Sequence, residues 1–195
     1  MSATNRSKVR DDHKNDYYQT PAWCIRDFLD EFRKDFYVPE KILDPCAGGD
    51  EAHPMAYPTI LEEFRGEAGV KDFVVSTIDI REDSLADKHQ DFLEMSHQEE
   101  YDLIISNPPF VLAKEFVDAG LASLKRGGAV AYLLRLSFLG SMKRKLWWKE
   151  TMPTYIYVHA KRPSFTEDGG TDAAQYGHFV WVKGYNPDTT NLKII

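Results

Sequence analysis

The chain has 195 residues, 43% of them hydrophobic and 13% aromatic, and a formal net charge of −7. That is enough apolar material for one α/β domain and too little for two, and the acidic balance excludes a protein that coats nucleic acid by bulk charge. No run approaches the roughly 20 apolar residues that cross a bilayer, and the N-terminus is polar without an apolar signal segment, so a soluble cytoplasmic protein with no membrane partner is expected.

Residues 1–16 are almost wholly polar and carry no apolar period, which predicts a flexible arm ahead of a single domain over 17–195. Thr20-Pro21 then reads as an N-cap followed by a first-turn proline, and Ile25, Phe28, Leu29 and Phe32 recur at helical spacing to about Lys34. Lys41-Ile42-Leu43-Asp44 reads as a short buried strand, followed by a loop over 45–58 and a helical stretch from Thr59 to Phe64. The β-branched run from Phe73 to Asp79 predicts a second parallel strand ending in an acid. Asp102 to Ser106 is the next strand. Phe116, Val117, Leu121 and Leu124 mark a helix that Gly127-Gly128 is expected to close. A strand over 129–136, a basic helix over 141–150, a strand over 154–160, an irregular loop over 163–174 and a strand over 178–183 complete the chain. Alternating strands and helices predict a mostly parallel sheet covered on both faces, with ligands bound where the strand order reverses.

Three strand ends carry the chemistry. Ser106-Asn107-Pro108-Pro109-Phe110 follows an apolar strand; the prolines fix φ and remove donors, so the carbonyls and the Asn107 amide can act as acceptors beside the flat face of Phe110. Such a corner suits a planar exocyclic amine. Asp44-Pro45-Cys46-Ala47-Gly48-Gly49 follows the first strand, where adjacent glycines allow close backbone approach to a ligand. Asp79 ends the second, placed to accept hydrogen bonds from a ribose diol. The GxGxxG fingerprint is absent, which favours a nucleoside cofactor without a pyrophosphate.

On these motifs, with Tyr17-Tyr18-Gln19-Thr20-Pro21, Asp91-Phe92 and Arg162-Pro163-Ser164-Phe165, the sequence resembles the class I S-adenosylmethionine-dependent adenine-N6 DNA methyltransferases, most nearly the small phage and prophage type. The resemblance spans roughly residues 16–183. It implies a Rossmann-like fold with a mostly parallel seven-stranded sheet, and a cytoplasmic location in a bacterial or phage-infected cell. It implies that Asn107, Pro108, Pro109 and Phe110 are catalytic. Tyr18, Thr20, Pro21, Asp44, Cys46, Gly48, Asp79, Asp91, Phe92 and Asn107 would meet S-adenosylmethionine. Phe110 would stack on a base flipped out of the duplex. The family pattern often has Phe at Cys46 and Gly at Asp50, so the loop after Gly49 departs from it.

Between Lys125 and Arg162 nine basic residues face a single acid, Glu150, and enclose Trp147-Trp148. Arg135, Lys143, Arg144 and Arg162 are the candidates there for nucleic-acid contact, and the resemblance implies Arg162 and Phe165 as part of a late substrate-side loop. The six histidines and two cysteines show no ligand spacing, so no metal site is expected. Between the Gly48-Gly49 loop and Asn107 there is no room for a separate target-recognition domain, which implies a short or relaxed site, a homodimer or a partner subunit. RNA adenine, a protein glutamine side chain, or a non-catalytic binding role are the alternatives.

Overall fold

The computed structural model describes residues 18–36, 39–67, 72–165, 170 and 173–195; the expected arm over 1–16 and Tyr17 lie outside them. Eight strands form one sheet: β1 (Lys41–Asp44), β2 (Val74–Asp79), β3 (Lys88–His89), β4 (Tyr101–Ser106), β5 (Leu124–Arg135), β6 (Tyr155–Val158), β7 (Tyr176–Val182) and β8 (Asn191–Ile194). Their order is β3-β2-β1-β4-β5-β7-β6-β8. The first five pair in parallel, β7 runs antiparallel between β5 and β6, and β8 pairs in parallel with β6. The order reverses between β1 and β4, at the place where the two motif-bearing loops emerge.

Alternation along the central strands sorts the core into two layers. Ile42, Leu103 and Ile105 face the helices α1 (Ala22–Asp35) and α2 (Ala56–Glu63), where Ile25, Phe28, Leu29 and Ile60 meet them. Leu43, Ile104 and Val130 face the opposite way, onto Phe116 and Val117 of α3 (Ala113–Ser123). Both faces of β4 are therefore covered, which is why its sequence is continuously apolar rather than alternating.

The sheet has eight strands where seven were expected. Neither β3 nor β8 was among the strands read from the sequence; both are short and largely exposed, Leu192 and Ile194 of β8 included, so they carry no burial pattern to read. The helix α3 ends at Ser123 and passes directly into β5, with Leu124 already extended. Gly127 and Gly128 lie inside that strand rather than closing the helix, and a Cβ on Gly128 would stand 2.9 Å from the Asp102 carbonyl of β4. The expected basic helix over 141–150 is divided into a 3-10 turn, Met142–Arg144, and the short α4 (Lys145–Glu150). Among the described residues no helix is long and apolar enough to cross a membrane.

Candidate active site at the β1–β4 switch point

The two special loops are tied at their roots. Asp44, fully buried at the end of β1, accepts the Ser106 hydroxyl from the end of β4 at 2.6 Å and the Cys46 N–H at 3.1 Å, both on Oδ1. Its Oδ2 is buried without a hydrogen-bond partner. Burial pushes the carboxyl up to about 7 against the opposing hydrogen bonds from Ser106 and Cys46, and the neighbouring Asp79 adds to the rise.

Gly48 and Gly49 take φ of 63° and 79°, the left-handed region that side chains with a Cβ avoid. A Cβ on Gly49 would lie 2.9 Å from Met55 Cγ. Asp79, at the end of β2, holds this turn from beneath: Oδ2 accepts the Gly48 N–H at 2.8 Å and Oδ1 the Arg81 N–H at 2.9 Å. Arg81 donates in turn to the Gly49 carbonyl at 2.8 Å. Sequence reasoning missed this arginine; its position two residues beyond the strand-end acid was the available signal. Asp50, where the family pattern has glycine, accepts the Ala52 and His53 N–H groups at 2.8 Å each and so closes a turn of its own. Asp91 accepts the Leu93 N–H at 2.9 Å and begins the 3-10 turn Phe92–Glu94. The Phe92 ring is buried against Phe116, so any contact it makes with a ligand falls to its main chain.

Thr20 does not cap α1. Pro21 occupies the N-cap, and the buried Thr20 hydroxyl instead accepts the Asn107 Nδ2–H at 3.1 Å. This contact orients the half-buried amide and leaves Asn107 Oδ1 as its remaining acceptor. Pro108 is buried, Pro109 caps a 3-10 turn (Phe110–Leu112), and Tyr18, Pro21 and Cys46 are half-buried around the same loops.

Phe110 belongs to an aromatic wall. Its ring lies 5.7 Å from Tyr176, which Phe165 meets edge-on at 5.1 Å. The Arg135 guanidinium stands 5.2 Å from the Phe110 centroid and donates to Tyr176 Oη at 3.1 Å. Arg135, a candidate for phosphate contact, thus covers part of Phe110. Arg144 also turns inward, over the Phe138 ring at 4.4 Å and onto the Phe138 carbonyl at 2.6 Å, and its partial burial lowers its basicity. Lys143 and Arg162 remain exposed. Both inward arginines found a π face in reach, which spacing along the chain does not show.

The histidines and cysteines carry no ligand spacing along the chain, yet three of them meet in the fold. Cys24, His159 and His178 come together in the core, three residues too far apart in sequence for any spacing rule to find.

No protein-family model matches the sequence, and no curated protein matches it. Solved structures do resemble the fold. A candidate class I S-adenosylmethionine-dependent methyltransferase of Listeria monocytogenes superposes with a TM-score of 0.63 at 17% identity, over 91% of this chain and 65% of the Listeria chain. A candidate RNA methyltransferase of Pyrococcus horikoshii gives 0.62 at 11% identity, over 94% of this chain and 92% of its own. The 1,6-didemethyltoxoflavin N1-methyltransferase of Burkholderia thailandensis, with S-adenosylhomocysteine bound, gives 0.51 at 12% identity, covering 82% of this chain and 78% of its own. The chain therefore has the Rossmann-like fold of the class I S-adenosylmethionine-dependent methyltransferases.

Proposed function

We propose that the protein transfers a methyl group from S-adenosylmethionine to the exocyclic N6 amine of adenine in DNA. The observation that carries this reading is the Asn107-Pro108-Pro109-Phe110 corner. Its amide is oriented by Thr20 and it stands beside Asp44 across the β1–β4 switch point.

The residues present suit the cofactor. Asp44 Oδ2 is a buried acceptor lacking a donor, the positive-φ turn at Gly48-Gly49 permits close backbone approach, and each Asp79 oxygen keeps a lone pair for a ribose hydroxyl. Asp91 and the Phe92 main chain are the neighbouring groups for the adenine moiety. When bound, S-adenosylmethionine supplies an electrophilic methyl on a sulfonium, so no covalent nucleophile is required. The task of the protein is positioning. Asn107 Oδ1 and the Pro108 carbonyl would accept the two N6 protons and hold the amine in place for a bound methyl donor. An amine that takes up a methyl becomes cationic, and the same two acceptors would stabilise that charge. The surplus N6 proton then passes to water. The part of Phe110 that Arg135 leaves open would stack on the base, offsetting some of the few kcal/mol that extrusion from a duplex costs.

DNA is supported over a free nucleoside by the exposed lysines 143 and 145, which follow the end of β5, at the same edge of the sheet from which Asn107 emerges. RNA adenine is the second reading, favoured by the fold likeness to a candidate RNA methyltransferase. The test is incubation with labelled S-adenosylmethionine and unmethylated DNA, RNA or protein extract, followed by digestion. N6-methyladenine in DNA, lost in Asn107→Ala, is expected; label in RNA or protein alone would replace the substrate, and none anywhere would remove the reading.

A further inference from the structure

A separate polar cluster lies in the core, built from residues that the proposed methyl transfer does not use. Cys24 in the first turn of α1, His159 just beyond β6 and His178 in β7 are each fully buried. His159 Nε2 stands 3.1 Å from Cys24 Sγ and 2.9 Å from His178 Nδ1, and the three atoms lie within 4.8 Å of one another. One ring nitrogen therefore faces two partners. It carries a single in-plane proton or lone pair, so it cannot complete both contacts well, and His159 Nδ1 has no partner at all. Three polar side chains from three elements, converging inside an apolar core, need a common partner.

We propose that Cys24, His159 and His178 bind one thiophilic transition-metal ion, zinc by preference. The donor set of one sulfur and two imidazole nitrogens suits zinc and excludes the hard cations calcium and magnesium. Binding converts the Cys24 thiol to a thiolate and releases its proton to solvent, while both imidazoles stay neutral. Metal–nitrogen and metal–sulfur lengths of roughly 2.0 and 2.3 Å require the ligand atoms to spread by about 0.5 Å from their present hydrogen-bond spacing. Small side-chain rotations supply this.

The surroundings fit the role. Tyr57 Oη lies 2.9 Å from His178 Nε2; accepting that N–H leaves the Nδ1 lone pair for the ion. Phe28 stacks on the His178 ring at 4.0 Å and 12°, and Trp23 meets His159 edge-on at 5.7 Å, which shields the site from water. Three protein ligands leave one position for a water. The ion would join α1 to β6 and β7, only four residues beyond the Thr20 that orients Asn107. Because all three ligands are buried, loading accompanies folding rather than following it.

The test needs no methylation substrate. Tag-free protein expressed in zinc-supplemented medium is passed through a desalting column and its metal content measured. About one zinc per chain is expected, falling to background in Cys24→Ser and His178→Phe but retained in His89→Gln, a control at an exposed histidine. Protein refolded with cobalt should show a thiolate-to-cobalt charge-transfer band and tetrahedral d–d absorption. Wild type without stoichiometric metal, wild type refolded with cobalt lacking the band, or both variants keeping their metal would overturn the proposal. If the variants do not fold, wild-type metal content and the cobalt spectrum still decide it.

Discussion

The two sides of the switch point handle charge in opposite ways. On the β1–β2 side, Asp44 and Asp79 sit at strand ends, hold the glycine turn by its backbone, and keep acceptor capacity in reserve. On the β5–β7 side, Arg135 and Arg144 spend their charge on aromatic rings and a carbonyl of their own fold. A carboxylate on a strand end is aimed by the strand, because its short side chain has little freedom. A long arginine, whether at a strand end like Arg135 or in a 3-10 turn like Arg144, goes wherever the nearest π face or carbonyl lies, so its identity says little about its partner.

The contrast yields experiments. The largest effect belongs to Asn107→Ala, which should reduce methyl transfer by at least about 100-fold with cofactor affinity nearly unchanged. Label incorporation and calorimetry separate the two, and an equal loss of both would make Asn107 a cofactor ligand only. Next is Asp44. Its folded carboxyl, raised to about 7, binds a proton more tightly than the unfolded one near 3.8. Its contribution to stability is therefore complete below 3.8 and is lost as pH rises through about 7. Urea unfolding of Asp44→Asn should show a flatter pH dependence across that window, by on the order of 4 kcal/mol. A profile parallel to wild type would mean that Asp44 titrates normally.

Gly49→Ala places a Cβ at φ 79° and 2.9 Å from Met55 Cγ. It should cost about 1–2 kcal/mol in thermal unfolding and weaken cofactor binding; unchanged stability would mean that the turn relaxes freely. Thr20→Val keeps the shape but removes the oxygen that Asn107 Nδ2 uses. A kcat fall of about tenfold at constant cofactor KM is expected, and a KM change alone would assign Thr20 to binding. The smallest effects sharpen the contrast on the basic side. Lys143→Ala should reduce the salt slope of DNA binding by about 1, whereas Arg144→Ala should leave that slope alone and cost about 1 kcal/mol of stability. The reverse pattern would mean that Arg144 leaves Phe138 to meet phosphate.

Much of the site was legible because its parts are local. Asp44, Gly48, Gly49, Asp79 and Asn107 each stand where an apolar run stops, and the run's length places the strand end. Thr20 was found but misread as a helix cap, since capping is also what a threonine before a helix does. Arg81 was missed because its donors act on a turn more than 30 residues earlier. The glycines at 127 and 128 were misassigned because helix ends and close strand approaches both favour glycine, and only the nearness of the Asp102 carbonyl distinguishes them.

By itself the sequence determined the alternation of elements, the parallel half of the sheet and the placement of the motif loops at strand ends. Those follow from periodicity, proline and glycine geometry, and short side chains on rigid elements. Only the tertiary structure decided that β1 and β4 are neighbours, which way each arginine turns, and that Cys24, His159 and His178 converge. Each depends on contacts between segments distant along the chain, and these exist only once the layers have packed.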